Sequence, residues 1–149
     1  MTLPPRLNKR SFTLIELILV IALIGAVLSF STPFYARFLT QNSVSLVRDQ
    51  LTSHLHRAQF NAMMSKNNGP WGVAFSAQKL VLFQGTSYAA RVAAFDEQFS
   101  VNPSISITGF TEIVYAKTTG LPASTPTITI KGTGSTKIVS VNNQGVVQQ

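Results

Sequence analysis

Hydrophobic positions change their spacing twice along the chain. From Phe12 to Phe30 they run almost without interruption, FTLIELILVIALIGAVLSF, 19 residues with one charge, Glu16. At about 1.5 Å per residue a helix of that length reaches roughly 29 Å, close to the ~30 Å hydrocarbon core of a bilayer. Hydropathy therefore predicts a transmembrane helix, with the basic residues ahead of it held on the cytoplasmic side. After Pro33 the pattern turns amphipathic. Val44, Val47, Leu51, Leu55, Ala58 and Ala62 advance in steps of three and four, with Asp49, Gln50, Ser53, Arg57 and Gln59 between them. This predicts a helix to about Met64 with one buried face. Asn67-Asn68-Gly69-Pro70 stops it.

Beyond Pro70 the spacing becomes that of strands. Candidates are 71–75, 80–83, 104–108, 113–116, 127–130, 137–141 and 146–148, several alternating cleanly, as at Ile105/Ile107 and Ile128/Ile130. Glycines punctuate them, and Asn142-Asn143-Gln144-Gly145 reads as a hairpin turn. Residues 86–103 fit either a helical stripe on Tyr88, Val92, Phe95 and Phe99 or an irregular crossing segment. The expected fold class is α+β. A long N-terminal helix, with a transmembrane half and an amphipathic half, packs on a small antiparallel β-sheet domain. The expected divisions are a basic segment at 1–11, a transmembrane helix at 12–33, an amphipathic continuation at 34–66 and a sheet domain at 67–149.

Composition narrows the chemistry. Charged residues are only 11% of the 149, mean hydropathy is +0.23 and the formal net charge is +7. Arg6, Lys9 and Arg10 lie in the first ten residues; the remaining nine basic and five acidic side chains leave about +4. No cysteine is present, which excludes disulfides, thiolate metal sites, cysteine nucleophiles and a lipidated N-terminal cysteine. The apolar run by itself fits a cleaved signal peptide or an uncleaved anchor. It exceeds the ~7–15 apolar residues of a signal peptide and lacks a small-x-small site at its end. Glu16 argues against a generic anchor, because a carboxylate among apolar residues costs about 2.5–3.5 kcal/mol at a lipid-embedded helix centre, less near its end, and calls for a partner.

Lys9-Arg10-Ser11-Phe12-Thr13-Leu14-Ile15-Glu16 resembles the processing site of type IV prepilins and type II secretion pseudopilins. The resemblance is strong over residues 9–34. It implies cleavage between Ser11 and Phe12 by a prepilin peptidase, N-methylation of Phe12, and a mature chain in which Glu16 is the fifth residue. It further implies that Glu16 neutralises the new N-terminal amine of a neighbouring subunit during filament assembly, and that Gly25 and Pro33 bound a flexible stretch of helix. The residue before the cut is usually glycine in that family, and here it is Ser11. A looser likeness, to the minor pseudopilin H group, covers residues 44–148 as a pattern. The implied location is the inner membrane, single-pass, with the N-terminus cytoplasmic and the C-terminal domain outside, from which the subunit is extracted into a filament. The implied partners are the prepilin peptidase, the inner membrane and other pilin or pseudopilin subunits.

No catalytic, cofactor or metal constellation is expected, and the chain reads as a structural subunit rather than an enzyme. His54 and His56 are two apart, about 200° around a helix, and cannot share a metal as i,i+4 pairs do. Asp96 and Glu97 lack the D-x-D-x-D-G loop of a calcium site. Trp71 is expected in the core where helix meets sheet. Nucleic acid is the weaker candidate partner, through a basic face of Lys117, Lys131 and Lys137 with Arg91 and Lys66; Lys131 and Lys137 flank Gly132-Thr133-Gly134. These cations are sparse, without a stacking row of aromatics. A DNA-binding minor pilin is therefore the alternative function.

Overall fold

A computed structural model describes residues 12–148; for residues 30–41 it describes the backbone alone. Helix α1 (Leu14–Met63) is followed by strands β1 (Trp71–Ser76), β2 (Lys79–Gln84), β3 (Glu97–Ser100), β4 (Ser106–Thr108), β5 (Glu112–Tyr115), β6 (Thr127–Gly132), β7 (Ser135–Val141) and β8 (Val147–Gln148). The chain divides into two units, Met1–Ala36 and Arg37–Gln149.

Within the first unit α1 begins on the apolar run. The expected transmembrane half, and with it the single-pass placement in the inner membrane, is corrected here. Among the described residues no helix is long and apolar enough to cross a membrane. The described apolar side chains at the start of α1 run from Leu14 to Leu28 and reach about 22 Å at ~1.5 Å per residue, short of the ~30 Å hydrocarbon core.

In the second unit the expected helical stripe is the heart of the core. Val44, Val47, Leu51, Leu55, Ala58 and Ala62 are all buried, at 3% exposure or less. They join a cluster that takes Trp71, Val73, Leu80, Leu82, Ile113 and Tyr115 from one sheet and Ile107, Ile128, Ile130, Val139 and Val141 from another. Truncating a fully buried leucine such as Leu51 or Leu55 in such a cluster costs about 2–5 kcal/mol.

Two four-stranded antiparallel sheets therefore stand where one was expected, ordered β3-β2-β1-β5 and β4-β6-β7-β8. The cause is local. After β5 the chain folds back on itself, with Ala116 N–H donating to the Leu121 carbonyl and Ala123 N–H to the Val114 carbonyl, at 2.9 and 2.8 Å. This return occupies the free edge of β5, so β6 cannot join there and pairs with β4 instead. The ambiguous segment 86–103 resolves into an irregular loop, one 3-10 turn at Ala93–Phe95 and the edge strand β3.

The end of α1 is secured by side chains that sequence spacing does not reveal. Ser65, Asn67 and Asn68 take positive φ, a conformation asparagine tolerates better than most residues. Trp71 Nε1 donates to the Lys66 carbonyl at 2.9 Å, Gln84 Nε2 to the Asn67 carbonyl at 3.0 Å, and Thr118 N–H to the Ala62 carbonyl at 2.8 Å. Trp71 is buried at this junction, as expected. Gln59, on α1, reaches the other loops: its Nε2 donates to the carbonyls of Gly120 and Gln144 at 3.2 and 2.8 Å. Gly145, at φ +80°, sits so close to Gln59 and Tyr115 that a Cβ there would collide.

Two features depart from the usual economy of a fold and can be measured. The β1–β2 hairpin turns on Ala77 and Gln78, both at positive φ where asparagine and glycine are the usual residues. Gln78→Gly is expected to raise stability by about 0.5–1 kcal/mol in urea unfolding, as relief of that left-handed strain outweighs the added freedom of the unfolded chain. The Tyr115 hydroxyl is buried without a partner among the described residues, and burial pushes its pKa up to about 12. Tyr115→Phe is expected to leave stability unchanged or raise it by up to about 1 kcal/mol, since an orphaned hydroxyl carries a desolvation penalty; the same unfolding curves check it.

Candidate functional site

The candidate site is the start of α1. Thr13 precedes the helix, and its Oγ1 accepts from the Glu16 backbone N–H at 3.4 Å. The Thr13 carbonyl accepts the first helical bond, from Leu17 N–H at 3.2 Å. Thr13 is thus the N-cap and Glu16 the third helical residue, the T-x-x-E spacing of a capping box. The carboxylate also sits where the helix dipole favours negative charge. Sequence reasoning assigned Glu16 to assembly and overlooked Thr13, although the T-x-x-E spacing ahead of an apolar run was legible as a cap.

Around this charged turn the surface is apolar on every side. Phe12, Leu14, Ile15, Leu17, Ile18, Leu19, Val20, Ile21, Leu23, Ile24, Val27 and Leu28 are between 43% and 76% exposed. An amphipathic helix would hide one stripe; a helix apolar all round is one that other apolar groups surround. Gly25 lies within α1, and a Cβ built there meets nothing within 4 Å. Ser29 Oγ donates back to the Gly25 carbonyl at 2.8 Å, a bond of the kind that slightly bends a helix. The backbone at Pro33 is assigned to α1 as well. Ser11, and with it the expected cleavage junction, lies outside the described residues, as do the leader 1–11 and the side chain of Pro33.

Of the basic residues considered for a nucleic-acid face, Lys131 and Lys137 lie on opposite faces of their sheet. Lys131 lies opposite Thr136 and Lys137 opposite Ile130 in the β6–β7 ladder. Residues directly opposite share a face and successive residues alternate, so Lys137 is on the side of buried Ile130 and Val139 while Lys131 is on the solvent side. Lys117, on the loop after β5, donates to Asn68 Oδ1 at 2.5 Å. Lys66 lies over the Trp71 ring, 5.4 Å from its centroid. Arg91 is held between the Asp96 carboxylate and the Tyr88 carbonyl, at 2.8 and 2.7 Å, and stacks 3.9 Å above the Tyr88 ring.

The acidic pair is spent on arginines. Asp96 binds Arg91, and Glu97 meets Arg57 of α1 through two bonds of 2.6 and 2.7 Å. Among the described residues no three histidine, cysteine or acidic side chains gather as a metal site would need. His56 is exposed, whereas His54 is buried with neither ring nitrogen bonded to a described residue. An open apolar groove of about 330 Å³ runs between Pro70, Thr86, Val114, Ala116, Leu121, Pro122 and Ala123, with Thr86 its sole hydroxyl.

With that geometry in view, two comparisons are informative. Residues 6–32 match the prokaryotic N-terminal methylation motif. The fold is similar to two structures of the minor pseudopilin EpsH from the Type 2 Secretion System of Vibrio cholerae. One aligns with a TM-score of 0.55 at 12% identity, over 71% of this chain and 94% of that one. The other aligns with a TM-score of 0.54 at 12% identity, over 72% and 93%. No curated protein matches. The likeness to that minor pseudopilin is one of helix-and-sheet fold, and the motif match is confined to the N-terminal residues.

His54 gives the domain a pH dependence with a definite sign. Burial lowers its pKa below the ordinary 6.5, Arg57 lowers it further, and Glu97 opposes both. The folded chain then takes up a proton less readily than the unfolded chain. The His54 contribution is complete above about pH 6.5 and is lost as the unfolded imidazole protonates below it. Urea midpoints are expected to fall between pH 7.5 and 5.5, and His54→Leu to flatten that fall.

Proposed function

We propose that this chain is a structural subunit, a minor pilin or pseudopilin, of a type II secretion or type IV pilus filament. A prepilin peptidase cuts it between Ser11 and Phe12 and methylates Phe12, and the mature subunit assembles through the first part of α1. The observation that carries the reading is the helix from Leu14 to Leu28, apolar on every side, exposed, and interrupted only by a carboxylate in its capped first turn. Such a surface is covered in the working assembly, and like helices of neighbouring subunits are the covering that the methylation motif supports.

In this reading cleavage leaves an amine on Phe12, one residue before the cap. That cation is next to the positive end of its own helix dipole, which disfavours it. Glu16 of an adjacent subunit would relieve it, and pairing the two removes both charges from an apolar interior. Gly25 serves as a point of yield between packed helices: no described side chain requires its missing Cβ, and glycine costs roughly 1 kcal/mol against alanine in an exposed helix. Pro33, which lacks an N–H for the helical ladder, is a second such point.

Mass spectrometry of the chain expressed with and without a prepilin peptidase tests the processing. The expected product begins at methylated Phe12 only when the peptidase is present; a chain that keeps Met1–Ser11 in both cases refutes the proposal. Glu16→Ala should be cut normally yet enter filaments at least about tenfold less, because one unpaired charge in an apolar core costs several kcal/mol. Quantifying the subunit in sheared filaments reads that outcome, and normal incorporation would remove the pairing role.

A further inference from the structure

The two sheets have four lateral edges, and three are closed or short. The edge of β5 is covered by residues 121–123 through the Tyr115–Pro122 bridge. Strand β3 is four residues long and bears Glu97, tied to Arg57; β4 is three residues long. Short and charged edges are common ways of discouraging further strand pairing. The fourth edge differs. β7 has seven residues, and among the described residues β8 pairs with Ser140 and Val141 of them.

Hydrogen bonds fix which groups of β7 point outward. Val141 N–H donates to the Pro126 carbonyl, on the β6 side, and Asn142 N–H to the Val146 carbonyl, on the β8 side. In an antiparallel ladder consecutive residues point their N–H and C=O to opposite sides. Ser140, Ile138 and Thr136 therefore face outward. Ser140 is opposite Gln148 of β8, but the N–H and C=O of Thr136 and Ile138 bond to no described residue. The side chain of Ile138 is 56% exposed beside them.

We propose that this edge receives an extended segment of a different protein, which continues the line of β8 along β7. The segment bonds Thr136 and Ile138 through its backbone, sets an aliphatic side chain beside Ile138 and places a carboxylate opposite Lys137. Charge selects this occupant over a second copy of the chain. An antiparallel β7–β7 pair that uses both free residues on each side, and leaves Ser140 to β8, puts Lys137 opposite Lys137. Opposed side chains at such a position, between hydrogen-bonded pairs, are the closer kind, so like charges there repel. An incoming acid turns the same geometry into attraction. The inference stands apart from filament assembly through α1.

The test uses the full chain in a mild detergent that shields the apolar start of α1. The probe is a seven-residue peptide of alternating threonine and valine with a central glutamate. At a concentration ten times its Kd it should slow amide exchange at Thr136 and Ile138 about tenfold. Lys137 and Val139, whose amides already face β6, should not change. The same peptide with a central lysine should bind about three- to five-fold more weakly, and Lys137→Glu should reverse that order. Ile138→Pro, which removes an outward N–H that no described residue uses, should abolish the slowing at Thr136 while the rest of the exchange pattern persists. The proposal is overturned if the peptide leaves both amides unaffected, if glutamate and lysine peptides bind alike, or if raising the protein concentration alone protects the two amides, which would make a second copy the occupant.

Discussion

The apolar stripe of α1 from Val44 to Ala62 is the constraint on which the second unit depends. Each sheet has one face too apolar to leave in water, and neither is large enough to be covered by its own turns. The stripe gives both a common partner: Leu51, Leu55 and their neighbours belong to one cluster with Val73 and Ile113 of one sheet and Ile128 and Val139 of the other. Removing the helix would expose two sheet faces at once. The stripe narrows from Leu51 and Leu55 to Ala58 and Ala62 at its C-terminal end, where small side chains let the sheets approach the helix closely at native packing density.

Polar contacts then set the register of what the stripe holds together. Gln59 binds the loop after β5 and the turn before β8, so a single amide ties both sheets' connections to α1. Arg57 and Glu97 join the same helix to the edge strand β3. That ion pair is half exposed and contributes little energy, on the order of 0–1 kcal/mol for such surface pairs, but it orients an edge that few apolar contacts reach. His54, one turn away on the inner side, adds a burial cost that grows when its ring is protonated.

The first part of α1 obeys a different logic. Its apolar side chains are exposed, and its hydroxyl groups, on Thr13 and Ser29, bond backbone groups of the helix. The methylation motif and the fold likeness to a minor pseudopilin bear on these two parts separately, the motif on residues 6–32 and the fold on the helix with its sheets.

The sequence by itself determined what depends on periodicity and on local chemistry. The stripe from Val44 to Ala62, the helix stop at Asn67–Pro70, the Asn142–Gly145 turn and most strand positions follow from side-chain spacing and from residues with special backbone preferences. Contacts between distant segments were decided only in the tertiary structure. That β5 closes its own edge, and so splits the strands into two sheets, depends on a chain reversal that no alternation announces. That Lys131 and Lys137 part to opposite faces follows from a register in which one residue of offset reverses the side, although both flank one turn. The pairing of Arg91 with Asp96 and of Arg57 with Glu97 joins residues whose separation in sequence carries no signal. The apolar run shows the same division. Hydropathy sums its residues and marks the run, whereas the bond from Ser29 to the Gly25 carbonyl is a contact that only the folded helix makes.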